Sequence, residues 1–383
     1  MHYLDNAATT PLDPSVRAFL AEGYADLWGN PSSDSELGRN AKRALEVARD
    51  LLCGMLGARE LVFCGGGTEA TNLAMRGSLA RDSRRTILVG AADHPAVLET
   101  AADLELEGHT TVRYPVGSQG RVRLDEFTHL VEEHASRIGL VSILHGNNES
   151  GTLAPVESMI KAVRRHAPDA HVHVDAVQSF AKIAVDLDRF GADSVTIAAH
   201  KIHGPKGIGA LALGDVRRPR TICTGGGQER GLRCGTEDVV SARAFALAAE
   251  HWISRQTEET GRVRALRDRA ERELFAAIDG IELLGDSETR LPHLLPLGIR
   301  GVRGSMVRER LEAHEILVST GSACASEHRE TRGSHVHRAM GIVSALADGA
   351  LRISFGRFNE EADVDALVRA LPGIVAELRE TAA

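Results

Sequence analysis

From about residue 60 to residue 215, short apolar runs alternate with longer stretches in which apolar residues recur at helical spacing. The runs Leu61–Cys64, Thr86–Val89, Thr111–Tyr114, Gly139–Leu144, His171–Val174, Ser194–Ala198 and Ile208–Leu213 predict strands by their length and apolar character. Helices are predicted between them, through about Leu79, from near Pro95, and at about 125–135 and 156–166. Pro95 suits a first helical turn, where its missing amide hydrogen is not needed. Strands joined by helices at this spacing predict a mostly parallel sheet covered on both faces, with a ligand site beyond the strand C-termini.

A long helical pattern over about 238–276 is expected to lead out of this region. The remainder, about 277–383, has weaker strand runs and a closing helix over Glu361–Arg369, which predicts a smaller α+β domain. The expected division is a large domain over 15–255 and a small one formed by 1–14 plus 256–383.

The length of 383 residues and the 43% hydrophobic content allow two such cores. Glycine is frequent, at 38 residues, and aromatics make up only 4%, which favours tight turns over an aromatic binding platform. The net charge of -8 gives no reason to expect nucleic acid. No apolar stretch approaches a membrane span, and Met1-His2-Tyr3-Leu4-Asp5 lacks the pattern of a secretion signal. Five cysteines, at 53, 64, 223, 234 and 324, form no disulfide framework and no zinc or iron–sulfur spacing. The cytoplasm is the expected compartment, and no metal is expected.

The candidate chemistry gathers at the predicted strand ends. Lys201 closes the apolar run from Ser194 and enters a loop controlled by Gly204, Pro205 and Gly207, the placement of a Schiff-base lysine or of a plain turn lysine. Asp175, 26 residues upstream, ends another strand run. It suits a partner for a protonated pyridine nitrogen, with helix capping as the alternative, and Gln178 is near enough to bond a second edge of the ring. Gly65-Gly66-Gly67-Thr68-Glu69 opens a helix and could cradle a phosphate on its backbone amides, although glycine turns are common in α/β proteins. His94 could stack on a cofactor, move a proton or cap a helix. Asn147-Asn148-Glu149 could supply amide donors or simply form a turn. Cys324, among small residues, has the setting of an accessible nucleophile. Arg352 could hold a substrate carboxylate.

Together these ordered segments resemble the class V, fold-type I pyridoxal-phosphate enzymes, specifically the cysteine desulfurase family of NifS/IscS type. The resemblance spans Tyr3–Pro11, Gly29–Ser33, Gly67–Asn72, His94, Asn147–Glu149, Asp175–Ser179, His200–Gly207, Gly225–Thr236, Ser322–Cys324 and Arg352. It implies a seven-stranded-type sheet with a smaller α+β domain, a pyridoxal 5'-phosphate cofactor and an active homodimer. Lys201 then matches the cofactor-linked base, Asp175 the partner of the pyridine nitrogen, Gln178 that of the ring oxygen, and His94 the stacking group. Thr68 and His200 match phosphate ligands, Glu69 stands in the same cofactor-binding segment, and Thr236 matches a phosphate ligand given by the neighbouring subunit. Asn147 and Arg352 match groups on the substrate carboxylate. Cys324 matches the nucleophile that takes sulfur from L-cysteine as a persulfide, leaves L-alanine, and passes the sulfur to a protein or small acceptor.

The chain departs from the family pattern at several points. Ala198-Ala199 stand where serine-glycine is usual, Gln228 replaces a histidine and Cys234 a serine, and the stretch from Cys324 to Ser334 is slightly longer. Two other functions remain open on the sequence. One is a pyridoxal-phosphate lyase acting on selenocysteine or a cysteine derivative. The other is a degenerate dimeric scaffold for sulfur transfer.

Overall fold

Alternation along each strand decides how the main sheet is covered. The computed structural model describes residues 1–80, 82–214, 218–321 and 333–382. Its strands are β1 (His2–Tyr3), β2 (Glu60–Cys64), β3 (Thr86–Gly90), β4 (Thr110–Tyr114), β5 (Ile138–Leu144), β6 (His171–Asp175), β7 (Ser194–Ala198), β8 (Gly209–Leu213), β9 (Ile281–Leu283), β10 (Leu294–Ile299), β11 (Ile316–Leu317) and β12 (Ala350–Ser354). Seven of them, in the order β2-β8-β7-β6-β5-β3-β4, build the main sheet. Only β8 runs antiparallel to its neighbours within it. These are the seven strands predicted from the apolar runs, with ends that agree to within one residue.

Successive side chains on a strand point to opposite faces. Leu61 and Phe63 of β2 and Leu88 of β3 therefore join the large core on one face, with Phe180, Phe245 and Trp252. Val62 and Cys64, and Ile87 and Val89, pack on the other face against Leu73, Met75 and Leu79 of the helix Gly67–Leu79. Burying both faces explains why these runs are almost wholly apolar. Phe180 and Phe245 meet edge to face with centroids 6.3 Å apart, and burial of each contributes about 2–3 kcal/mol.

A second core lies around a three-stranded antiparallel sheet, β12-β10-β9. Leu295, Leu297 and Ile353 of that sheet pack with Leu266 and Leu274 from one helix and Leu367, Leu371 and Leu378 from another. Leu4 from the chain start joins them, and β1 pairs in parallel with β11.

Two helices differ from the sequence expectation. The pattern over 238–276 is two helices, Val239–Ile253 and Gln256–Ala277. The first buries Phe245 and Trp252 in the large core, and the second buries Leu266 and Leu274 in the other. A break between them, where Arg255 has φ −125° and ψ 20°, lets one segment serve two cores. The closing helix runs over Glu361–Ala382, past Pro372. Proline removes one backbone hydrogen bond, but Ile374, Val375 and Leu378 beyond it are buried, and that burial offsets the loss. Among the described residues, no helix is long and apolar enough to cross a membrane.

Candidate active site

β6 and β7 are neighbours, and Asp175 pairs in register with Thr196. Asp175 and the short turn Ala199–Lys201 after β7 therefore meet at the C-terminal edge of the sheet. Around them is a cavity of about 330 Å³ lined by Ala8, Gly67, Thr68, His94, Asp175, Gln178, His200, Lys201 and Arg352, among others. Its position is where an open α/β sheet places a ligand.

Lys201 is 9% exposed. Its Nζ donates to the carbonyl oxygens of Ala7 and Ala8, each at 2.6 Å. Segment 7–13 is laid across the lysine turn by Thr10 N–H to the His200 carbonyl at 2.9 Å and Asp13 N–H to that of His203 at 3.0 Å. Sequence reasoning gave these residues no role at the site. Their signal was the run Asn6-Ala7-Ala8-Thr9-Thr10, whose small side chains let a backbone approach closely.

Asp175 accepts Val177 N–H at 3.0 Å, so it caps the following turn while still lining the cavity. Burial pushes its carboxyl up to about 6, opposed by that hydrogen bond and by the charge of Lys201. A cation placed against it would hold it ionised. Gln178 donates its amide to the Ala7 carbonyl at 2.9 Å. Its Oε1 is buried and has no partner among the described residues.

His94 caps the helix Pro95–Leu106 by accepting Ala96 N–H on Nδ1 at 3.1 Å. Burial, and then the charge of Lys201, push the ring down to about 4. It is neutral at pH 7, and because Nδ1 accepts, its proton is on Nε2. His200 is likewise pushed down to about 4, chiefly by burial and then by Lys201. Its Nδ1 lies 3.2 Å from Thr9 Oγ1.

The glycine turn after β2 opens the helix Gly67–Leu79, whose first turn has no side-chain cap. Its free amides face a second cavity of about 690 Å³, shared by Thr68, His200 and Lys206. An uncapped helix start facing a cavity suits an anion. A Cβ at Gly67 would lie 2.9 Å from Val177 Cγ2, so a larger residue there would have to displace that methyl. Glu69 lines the same cavity but is committed to the loop: it accepts Gly65 N–H at 2.5 Å and Arg233 Nε at 2.9 Å.

Arg352 is 3% exposed and lines the main cavity from β12. It donates to the Asn148 carbonyl at 2.9 Å and to Asp5 Oδ1 at 2.8 Å, while its Nε has no partner among the described residues. Asn147 turns its amide elsewhere, donating to the Ala92 carbonyl at 2.9 Å and accepting Glu149 and Ser150 N–H. Asn148, rather than Asn147, lines the cavity. Thr236 is exposed and is not part of the lining of either cavity. Cys324 lies outside the described residues.

The site thus gathers an amine, a buried carboxylate, an uncapped helix start and a guanidinium around one cavity. The aminotransferase class-V family model matches residues 2–367. A cysteine desulfurase of Nostoc sp. is 39% identical, over 98% of this chain and 93% of the relative. An IscS-like cysteine desulfurase of Mycobacterium tuberculosis is also 39% identical, over 100% of this chain and 98% of the relative. A solved structure of a NifS-like protein superposes with a TM-score of 0.91 at 34% identity, covering 98% of this chain and 99% of that one. Fold, site position and relatives agree: the chain belongs to the aminotransferase class-V family and, within it, to the NifS/IscS-type cysteine desulfurases.

Proposed function

We propose that this protein is a pyridoxal-phosphate-dependent cysteine desulfurase, converting L-cysteine to L-alanine and leaving the sulfur on Cys324 as a persulfide. The observation that carries the reading is the convergence of Lys201, Asp175 and Gln178 on one cavity beside the uncapped helix start at Gly67. These residues fit the cofactor. The unpartnered Gln178 Oε1 suits a ring hydroxyl, and the free amides with Thr68 and His200 suit a phosphate. Bound there, pyridoxal phosphate supplies a carbonyl carbon that takes up amines and a pyridinium ring that withdraws electrons from the substrate's α-carbon.

The protein's own groups divide the remaining work. Asp175, ionised against a ring nitrogen, keeps that nitrogen protonated. His94, neutral with its proton on Nε2, offers an uncharged face and one donor to the cavity. Arg352 grips the carboxylate of L-cysteine and orients its α-carbon toward the Lys201 amine, which moves the α-proton. The Cys324 thiolate attacks the substrate sulfur. An S–S bond forms, the substrate C–S bond breaks, and its carbon takes a proton, so that cysteine and a thiol become alanine and a persulfide. The reading extends to a cytoplasmic homodimer, with Thr236 of each subunit serving the other's phosphate, and to a protein or small-molecule sulfur acceptor. The exposed position of Thr236, outside the lining of its own cavities, supports the exchange. The two separate cores support assigning residues 15–255 to a large domain and 1–14 with 256–383 to a small one.

Product analysis tests the reading. Cofactor-loaded protein given L-cysteine should release alanine in step with reducible sulfane sulfur. Alanine with free sulfide, formed equally by Cys324→Ala, would replace the desulfurase with a C–S lyase.

A further inference from the structure

Glu149 has no part in the roles proposed above, yet it is only 5% exposed. Its Oε2 accepts Ser334 Oγ–H at 2.6 Å. Ser334 in turn caps the helix His335–Ala339 by accepting His337 N–H at 3.1 Å. The same Glu149 oxygen lies against Gly321, where an added Cβ would be 3.3 Å away and φ is +89°. Gly321 and Ser334 stand on opposite sides of the segment that carries Cys324. The carboxyl is therefore hydrogen-bonded to the chain after that segment and lies near the chain before it.

Glu149 is itself tied to the site through its backbone. Its backbone N–H donates to Asn147 Oδ1 at 2.8 Å, and Asn147 donates to the Ala92 carbonyl, two residues before His94. The Asn148 carbonyl accepts Arg352. A second tie runs in parallel, with His335 Nε2 donating to the Asp93 carbonyl at 2.9 Å. Val336 and Met340 close the contact by packing with Ala92 and Val116.

We propose, on the reading of Cys324 as sulfur acceptor, that Glu149 is a positioning residue that anchors Ser334, where the chain resumes after the Cys324-bearing segment, beside Gly321, which precedes it. Burial pushes its carboxyl up to about 7, opposed by the Ser334 hydroxyl and by the charges of Arg352 and Arg338, the groups that face it. Either protonation state can accept from Ser334, so the clasp does not depend on ionisation.

Glu149→Ala removes the acceptor, and Glu149→Gln keeps one of the same shape. In the cofactor-loaded protein, Glu149→Ala is expected to speed hydrogen exchange of the amides of residues 337–342 by roughly tenfold or more. Persulfide formation on Cys324 should slow by a similar factor, about tenfold, with the KM for L-cysteine within about twofold. Glu149→Gln should stay near wild type in both. Unchanged exchange in Glu149→Ala, or faster exchange with an unchanged persulfide rate, overturns the proposal. If Glu149→Ala does not fold, Ser334→Ala deletes the other half of the contact and is held to the same outcomes. A wild-type protein that forms no persulfide overturns the sulfur-acceptor reading itself, and the positioning role with it.

Discussion

Lys201 Nζ and Gln178 Nε2 donate to the same atom, the carbonyl oxygen of Ala7, at 2.6 and 2.9 Å. The chain's first residues thus hold the amine at the sheet edge and align the neighbouring amide in one contact. Lys201→Ala should lower alanine formation by about 10³-fold or more, because both the covalent and the proton-moving roles proposed for Lys201 would be lost. The fold should persist, with stability reduced by about 1–3 kcal/mol for the unmet carbonyls. Steady-state kinetics and thermal unfolding of the apo-protein check the two parts.

Arg352 satisfies Asp5 and the Asn148 carbonyl with different guanidinium nitrogens while lining the cavity. An ammonium is a point charge and cannot reproduce that fork. Arg352→Lys should raise the KM for L-cysteine by about tenfold or more while changing kcat only a few-fold, the signature of lost carboxylate binding. A kcat loss with unchanged KM would move Arg352 away from the substrate carboxylate.

The main sheet was legible in the sequence because its strands are buried on both faces, which writes each as a short apolar run bounded by turns. Asp175, Lys201 and the Gly65–Gly67 turn were legible for the same reason: they stand at the ends of those runs. The support given by Ala7 and Ala8 was not, because it joins backbone atoms 194 and 193 residues away from Lys201 and carries no side-chain signature. The break near Arg255 was hidden because both flanking helices keep an apolar periodicity, each toward a different core. The closing helix extends beyond the expected Arg369 because the burial of Val375 and Leu378 past Pro372 is a tertiary effect that local propensity does not register.

Close backbone packing supports the turn Gly65–Gly67, for which phosphate binding is proposed. At Gly209, on β8, an added Cβ would lie 2.6 Å from the Gly66 carbonyl carbon and 2.8 Å from the Ile197 oxygen. Backbone atoms on both sides cannot yield as a flexible side chain would. Gly209→Ala should lower stability by about 1–3 kcal/mol and weaken cofactor retention, since Gly66 leads into the helix start at Gly67. Denaturant unfolding and cofactor release by dialysis measure both. Lost stability with unchanged retention would separate the turn from phosphate binding.

Buried histidines set the response to acid. Burial lowers the rings of His94, His145, His200, His203 and His337 to about 4, and that of His173 to about 3. A base with a depressed folded pKa stabilises the fold above its unfolded value, near 6.5, and that stability is lost as pH falls through the folded value. Asp175 and Glu149, raised to about 6 and about 7, act in the opposite direction and favour the fold as pH falls. The histidines outnumber them, so the apo-protein's Tm should fall between pH 6.5 and pH 4. Calorimetry across that window checks the sign, and a flat or rising Tm contradicts it.

Transfer of sulfur from L-cysteine onto Cys324 is tested most directly by a single turnover of cofactor-loaded protein with L-cysteine, quenched and digested, with the Cys324 peptide weighed and alanine counted. The expected result is one alanine per active site and a Cys324 peptide heavier by one sulfur atom, with both products lost in Cys324→Ala. Alanine at full yield with an unmodified Cys324 peptide would contradict it.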